Sequence, residues 1–286
     1  MTAPGEKTAP QEVWDTLSQT ERDAAYNNNA AVPNSAAWVA ARDIAAAAFR
    51  ATHGDHLDVP YGPGARQKLD LYPGADPTAP CLVFIHGGYW QRNTRETFAH
   101  YAEGLLAQGW SVALVGYTLA PEARIGAIVD EIGQALDTLA KDGPAHGIAG
   151  PLVISGWSAG AQLAVMQLDH PAVTAGLAIS GVYELGPIRD TFLNAALQLT
   201  DTEIATCSPL RCVPSHKPLI IAYGTHEVPA LVHDSRALSG RRVAAGAPGA
   251  LLPILGADHF SILDELRAPQ GQLTRAVCDL MAKGAA

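Results

Sequence analysis

The chain has few cysteines, and their spacing is uninformative for metal or redox chemistry. Four cysteines among 286 residues form no Cys-x-x-Cys pair, and no group of cysteine and histidine has the spacing of a zinc site. Cys81 and Cys278 lie in apolar patterns that are typical of buried thiols. Cys207 and Cys212 could pair in principle, but we expect both to be free thiols.

Positive charge is also scarce. Nineteen Lys and Arg against 28 Asp and Glu give a net charge of −9, and no basic run is present, which argues against nucleic acid or an anionic membrane as a partner. No apolar run approaches the ~18 residues of a membrane span. Residues 1–11 lack the basic and apolar regions of a signal peptide. We therefore expect a soluble, cytoplasmic protein, and a homodimer is compatible with the sequence.

Apolar residues make up 48% of the chain, enough for a sizeable core. We find no internal repeat and no low-complexity linker, so we predict disorder over residues 1–10 and one domain over 11–286. Helical periodicity predicts a helical preface over residues 11–51 that either packs over a substrate site or extends the core. Residues 184–212 interrupt the later pattern and are expected to form a small insertion near the site.

Strand and helix patterns alternate through the rest of the chain. Short apolar runs without alternation are typical of strands buried on both faces, and they alternate with helical stretches, which predicts an α/β fold with a mostly parallel, doubly wound sheet. The first two strands look antiparallel. The predicted strands are residues 57–61, 68–72, 81–85, 111–115, 152–154, 176–179, 219–223 and 251–255, and the predicted helices are 95–108, 124–141, 160–170, 230–245 and 261–282.

A candidate nucleophile stands out in this pattern. Residues 156–160 read Gly-Trp-Ser-Ala-Gly, between an apolar run and a helical stretch. Strand, serine and helix in this order are the context of a nucleophile elbow, a sharp turn that requires small neighbours. The turn would place Ser158 at a helix N-terminus, which favours developing negative charge.

A serine hydroxyl needs a histidine base, and the histidine needs an orienting carboxylate. In this kind of fold the expected chain order is serine, then acid, then histidine. Glu227 and His259 each follow a predicted strand, at the sheet edge where functional loops gather. We predict them as the acid and the base, with Asp234, several residues later and on a predicted helix, as the alternative acid.

The developing oxyanion needs at least two N–H donors. One is expected from Ala159, directly after the serine, and the others from the loop 86–90, His-Gly-Gly-Tyr-Trp. Paired glycines let the backbone turn its amides inward without a Cβ clash. This pattern favours Gly88 and Tyr89 as the donors.

Aromatic residues near these loops are candidates for the substrate pocket. Tyr89 and Trp90 could form an aromatic wall that suits an aromatic small-molecule substrate. Trp157 and Tyr183 are further candidates for substrate binding.

Together these motifs resemble the α/β-hydrolase family, and within it the arylformamidase (kynurenine formamidase)-like serine hydrolases and the hormone-sensitive-lipase-like esterases. The resemblance covers about residues 15–270 and is carried by the segments 86–90, 116–122, 180–185 and 258–263. The chain departs from the group's pattern at Glu227, where the group usually has Asp, and at Thr118, where it usually has Arg.

The resemblance implies hydrolysis of a formamide or an ester through an acyl-enzyme on Ser158, with His259 moving the proton and with no metal or organic cofactor. An arylformamidase acting on N-formylkynurenine or a related aryl formamide is the first hypothesis, and a carboxylesterase for small acyl esters is the second. A non-catalytic binding protein of the same fold is the third. It is disfavoured because the serine, the histidine and the loop glycines are all present.

Overall fold

The computed structural model describes residues 14–284, so the predicted disorder of residues 1–10 lies outside the described part. The preface is helical. It contains α1 (Gln19–Ala25), α2 (Asn28–Ala31) and α3 (Ser35–Thr52). Ser18 caps α1 through a reciprocal pair of hydrogen bonds with Glu21, which satisfies amides that the first helical turn leaves without partners.

The strands of the described residues form one eight-stranded sheet in the order β1-β2-β4-β3-β5-β6-β7-β8. The pairs β1–β2 and β2–β4 are antiparallel and all other pairs are parallel, as the sequence predicts. The strands are β1 (Val59–Pro60), β2 (Lys68–Tyr72), β3 (Cys81–Ile85), β4 (Ser111–Val115), β5 (Leu152–Trp157), β6 (Val173–Ile179), β7 (Leu219–Gly224) and β8 (Gly249–Ile254).

Alternate side chains of the central strands enter two separate cores. In β3, Val83 belongs to the core under the helices Ile125–Asp142, Ala159–Met166 and Pro229–Ala244. Phe84 belongs to the core under α3 and the C-terminal helix Gln272–Gly284. Because both faces are covered, β3 and β4 are buried along their whole length, which explains their continuous apolar runs. The later helices are α4 (Glu103–Leu106), α5 (Ile125–Asp142), α6 (Ala159–Met166), α7 (Asn194–Leu197), α8 (Asp201–Cys207), α9 (Pro229–Ala244), α10 (Asp264–Arg267) and α11 (Gln272–Gly284).

Two predicted helices differ from the structure. The stretch 95–108 is mainly a 3₁₀ helix, Arg95–Ala102, followed by the short α4. The stretch 261–282 is divided into a 3₁₀ turn, α10 and α11. Pro269 explains the break between α10 and α11, because a residue before proline is driven out of the helical region. Ala268 is accordingly extended, at φ −71° and ψ 130°.

The carboxyl ends of β3, β5, β6 and β7 lie side by side in the sheet. Parallel strands collect their following loops at this edge, and each of these loops contributes to the site below.

No helix within residues 14–284 has the length and apolar character needed to cross a bilayer.

Candidate active site

Ser158 lies in the turn between β5 and α6. Its backbone has φ 58° and ψ −121°, a region that side-chain-bearing residues rarely adopt, and its N–H donates to the carbonyl of Ile179 at 2.8 Å. A Cβ on Gly160 would lie 2.1 Å from the carbonyl oxygen of Ile85. Glycine is therefore required for α6 to approach β3 closely enough to hold this turn.

The structure brings Ser158, His259 and Glu227 into one chain of hydrogen bonds. His259 Nε2 lies 3.2 Å from Ser158 Oγ, and His259 Nδ1 lies 3.1 Å from Glu227 Oε2. All three side chains are buried. A buried carboxylate on Nδ1 holds the imidazole with Nε2 free to accept a proton from the serine.

Glu227 is held on its other oxygen as well. Its Oε1 accepts a hydrogen bond from the N–H of Gly224 at 2.7 Å and one from the hydroxyl of Ser180. The loop after β7 is closed by the bond from the N–H of His226 to the carbonyl of Ala257 at 3.0 Å. These contacts accommodate the longer glutamate side chain and aim Oε2 at His259. The sequence prediction missed Ser180, although it begins the segment 180–185 that contributed to the resemblance.

Asp234, the alternative acid, serves a different part of the molecule. Its Oδ2 accepts from the N–H groups of Tyr183 and Glu184 at 2.7 and 3.1 Å, which ties α9 to the loop after β6. Burial raises the pKa of Asp234 to about 7. Glu227, and not Asp234, is the carboxylate that contacts His259.

Trp157 supports the histidine from the side. Its Nε1 donates to the carbonyl of His259 at 2.9 Å, and the two rings lie 4.7 Å apart between centroids. The His259 loop is closed by Asp258, whose carboxylate accepts from the N–H groups of Phe260 and Ser261 at 2.9 and 2.8 Å. These contacts restrict the imidazole to the side of Ser158.

The glycine loop after β3 lies against the serine. A Cβ on Gly87 would lie 2.6 Å from the carbonyl oxygen of Trp157 and 2.8 Å from Ser158 Cβ. Gly88 and Tyr89 have positive φ values of 122° and 50°. Their amides and that of Ala159 remain the predicted oxyanion donors, and Ala159 opens α6, where an N–H has no partner within the helix.

Two residues that the sequence predicts in the pocket lie outside it. Trp90 is fully buried and its Nε1 donates to Gln162 Oε1 at 2.9 Å, so its side chain faces the core. Tyr183 is also fully buried, and neither residue lines the cavity over Ser158. The physical reason is that successive residues of a loop can point to opposite sides, so the neighbour of a pocket residue often packs inward. Tyr89 and Trp157 do line the cavity.

A cavity of about 240 Å³ opens over Ser158 and His259. Among the described residues, Arg42 and Arg92 are the charged side chains of its wall. Arg42 is buried, and its guanidinium lies 4.7 Å from the ring centroid of Phe98 and is paired with Asp43. The remaining wall residues, which were not predicted as site residues, are Tyr26, Asn27, Asn28, Asn29, Val39, Asn93, Phe192, Leu193 and Phe260.

The helical preface covers the site. The hydroxyl of Tyr89 donates to the carbonyl of Tyr26 at 2.7 Å and accepts from Asn28 Nδ2 at 3.1 Å. Phe192 in the stretch 184–212 donates its N–H to Asp23 at 2.8 Å. The preface and this stretch therefore meet above the cavity. Because Ala46 and Phe49 of α3 are also buried in the core, the preface does both of the things that the sequence left as alternatives.

The cysteines lie outside the candidate active site. All are free, as predicted, with Cys81 and Cys207 buried and Cys212 partly exposed. Cys278 is also partly exposed, although its apolar context predicts burial. Within residues 14–284 no group of three or more Cys, His, Asp or Glu is arranged to hold a metal ion.

The fold and the buried Ser158–His259–Glu227 chain define a class, the α/β-hydrolase fold with a serine, histidine and acid at the carboxyl edge of its sheet. Residues 69–171 match the family model BD-FAE. The kynurenine formamidase of Danio rerio is 26% identical over 94% of this chain and 99% of its own length. The resemblance of the chain to the arylformamidase and esterase group is thereby confirmed.

Solved structures agree with the α/β-hydrolase fold. A candidate thioesterase from Silicibacter superimposes with a TM-score of 0.82 and 29% identity, over 90% of this chain and 99% of that one. Esterase B from Lactobacillus rhamnosis has a TM-score of 0.70 at 18% identity, over 87% of this chain and 96% of its own, and supports the fold alone. The predicted α/β-hydrolase fold is confirmed.

Proposed function

We propose that this protein is a serine hydrolase of the arylformamidase type, which cleaves N-formylkynurenine or a related aryl formamide. The observation that carries the proposal is the buried hydrogen-bonded chain of Ser158, His259 and Glu227, which opens on a cavity with aromatic and cationic walls. The likeness to the kynurenine formamidase of Danio rerio along nearly the whole chain supports the same reaction.

In the first half of the reaction, Ser158 Oγ attacks the formyl carbon while His259 Nε2 takes the hydroxyl proton. Glu227 stabilises the resulting imidazolium through Nδ1. The tetrahedral oxyanion would be stabilised by the N–H groups of Ala159, Gly88 and Tyr89. Loss of one such donor typically costs about 3 kcal/mol of transition-state stabilisation.

In the second half, the imidazolium of His259 donates its proton to the leaving amine nitrogen as the C–N bond breaks. The formyl group stays on Ser158 as an ester. His259 then removes a proton from water as the water oxygen attacks the formyl carbon. Formic acid leaves as His259 returns that proton to Ser158 Oγ, and the acid ionises to formate in solution. The three side chains that handle the proton, those of Ser158, His259 and Glu227, are already within hydrogen-bond distance of one another.

The cavity wall favours an aromatic substrate that carries an anion. Tyr89, Trp157 and Phe260 offer apolar ring surface, and Arg92 offers positive charge in a protein whose net charge is −9. The charge of the other arginine in the wall, Arg42, is already paired with Asp43. N-formylkynurenine combines an aryl formamide with an α-carboxylate, so it suits both features. We therefore propose that Arg92 binds the carboxylate end and the rings bind the aryl group.

A carboxylesterase is the second candidate, because the same serine, histidine and acid cleave small acyl esters. The structural likeness to Esterase B supports the fold, and the fold serves both reactions. The two candidates differ in which leaving group the cavity prefers. The cytoplasmic location, the single domain over residues 11–286 and the homodimer stay predictions.

The deciding experiment compares turnover of N-formylkynurenine with that of p-nitrophenyl acetate and butyrate. Ser158→Ala should lower kcat for every substrate by at least about 10³-fold. Ser155→Ala is the matched control, since that buried hydroxyl on β5 donates to the carbonyl of Leu177 and does not contact His259. It should keep kcat within about threefold of the wild-type value.

A strong preference for the formamide would support the arylformamidase proposal. Serine-dependent turnover of esters alone would refute it in favour of the carboxylesterase. Turnover that survives Ser158→Ala would refute both proposed activities, because both need the serine. A wild-type protein that is inert to all three substrates and to an organophosphate probe would refute both as well, and would favour the binding-protein hypothesis.

A further inference from the structure

A fully buried glutamine lies one helical turn beyond the serine. Gln162 on α6 donates its backbone N–H to the carbonyl of Ser158 at 3.4 Å. Its side-chain Oε1 accepts from Trp90 Nε1 at 2.9 Å, and its Nε2 donates to the carbonyl of Cys207 at 2.8 Å. The side chain thus connects the glycine loop, the serine helix and the end of α8.

Packing alone does not require an amide at this position. The neighbours Ala161 and Leu163 are buried and apolar, and an apolar side chain of similar length would fill the same space. A buried amide is tolerated here only because both of its polar atoms have partners. Its distinctive property is therefore the pair of directed hydrogen bonds, and one of them holds the indole of Trp90.

The glycine loop needs such external support. Gly88, Tyr89 and Trp90 are three successive residues with positive φ, and the values for Tyr89 and Trp90 are 50° and 58°. Side-chain-bearing residues persist in this region only when their surroundings over-determine the conformation. Tyr89 is held by the preface through its hydroxyl, and Trp90 is held from the other side by Gln162 and by the bond from the Ala120 N–H to its carbonyl at 2.8 Å.

We propose that Gln162 is a positioning residue for the oxyanion loop. The same helix carries Ser158 at its start and Gln162 one turn later, so the bond to Trp90 sets the distance between the serine and the amides of Gly88 and Tyr89. This inference rests on the proposed function, because it concerns donors that act on the transition state. Small displacements of such donors reduce kcat more than they change substrate binding.

The test uses Gln162→Met and Trp90→Phe, which remove the bond from its two ends. Each variant should lower kcat at least tenfold and leave KM within about twofold, because the loss falls on the transition state. The double variant should be no slower than the slower single variant, since both substitutions break the same bond. Trp90→Phe leaves α6 unchanged and so keeps the test informative if Gln162→Met fails to fold.

Gln167→Met is the matched control. Gln167 lies at the end of the same helix and donates its Nε2 to the carbonyl of Val129 at 2.7 Å, away from the glycine loop. This variant loses one side-chain hydrogen bond of the same kind, and it should keep the wild-type kcat. If folded Gln162→Met and Trp90→Phe both match Gln167→Met in kcat, the positioning role is refuted.

Crystal structures of the wild type and of Gln162→Met provide a readout that does not depend on turnover. We expect the backbone of residues 87–90 to move relative to Ser158 in the variant. An unmoved loop would refute the positioning role even in an active enzyme. An inert wild type whose loop does move in the variant would instead refute the proposed function and leave the anchoring of the loop supported.

Discussion

Asp234→Asn separates the two candidate acids and changes the pH dependence of stability. Asp234 is buried, and one carboxylate oxygen accepts both backbone N–H groups of Tyr183 and Glu184. The amide oxygen of asparagine can accept the same two bonds. The substitution therefore removes the ionisable group while it preserves the hydrogen bonds that join α9 to the loop after β6.

The expected magnitude follows from the raised pKa of Asp234. Burial raises it from 3.8 to about 7, so the folded protein holds the proton more tightly than the unfolded chain does. The free energy of unfolding therefore falls as pH rises between these two pKa values, and the lost stability is not regained above them. Over the whole interval between the two pKa values, the free energy of unfolding falls by about 4 kcal/mol. Between pH 5 and pH 8 it falls by about 3 kcal/mol.

The assay is urea unfolding of wild type and Asp234→Asn at pH 5 and pH 8, together with kcat for each protein. When the pH is raised from 5 to 8, the free energy of unfolding of Asp234→Asn should increase by about 3 kcal/mol relative to that of wild type. Its kcat should stay within about threefold of wild type, whereas Glu227→Gln should lose about 10⁴-fold because the carboxylate on His259 Nδ1 is gone. An unchanged stability difference at the two pH values would refute the burial argument. A loss of kcat in Asp234→Asn as large as that in Glu227→Gln would refute the assignment of the acid.

Three further substitutions test the cavity, the elbow and the support of the acid. Arg92→Met should raise KM for N-formylkynurenine about tenfold, equivalent to ~1.4 kcal/mol, while KM for neutral p-nitrophenyl acetate stays within twofold. Equal changes for both substrates would contradict an anion-binding role. Gly160→Ala should lower stability by about 2 kcal/mol, seen as a lower Tm, because the new Cβ would lie 2.1 Å from a backbone oxygen of β3. Ser180→Ala should lower kcat about tenfold at constant KM, because Glu227 loses a directed hydrogen bond; an unchanged kcat would show that the Gly224 amide alone orients the acid.

The strands could be predicted because their signal is local. The runs 81–85 and 111–115 are apolar at every position, and the structure places β3 and β4 at these same bounds, buried on both faces. The turn at Ser158 has a local signal too, since its flanking glycines are required by the close approach of strand and helix. The continuous helix predicted over 261–282 is wrong, because Pro269 interrupts a stretch whose apolar periodicity is otherwise helical.

The roles of individual pocket residues depend on distant contacts. Trp90 and Tyr89 are neighbours in the chain, but the first is held in the core by Gln162, 72 residues away, and the second faces the cavity. The preface reaches Tyr89 across 61 residues, through Asn28. No periodicity within a short window can report which of two adjacent aromatic residues points inward.

Local patterns in the sequence by themselves determined the order of strands and helices, the position of the serine turn and the candidates Glu227 and His259, because apolar periodicity and turn chemistry act over a few residues. Only the tertiary structure decided which acid meets the histidine and which residues form the cavity. Glu227 and Asp234 both follow β7, and both contact the loop after β6. Glu227 meets the hydroxyl of Ser180 and the ring of His259, whereas Asp234 meets only backbone amides of that loop. Burial and hydrogen bonding between such segments exist only once the chain is folded.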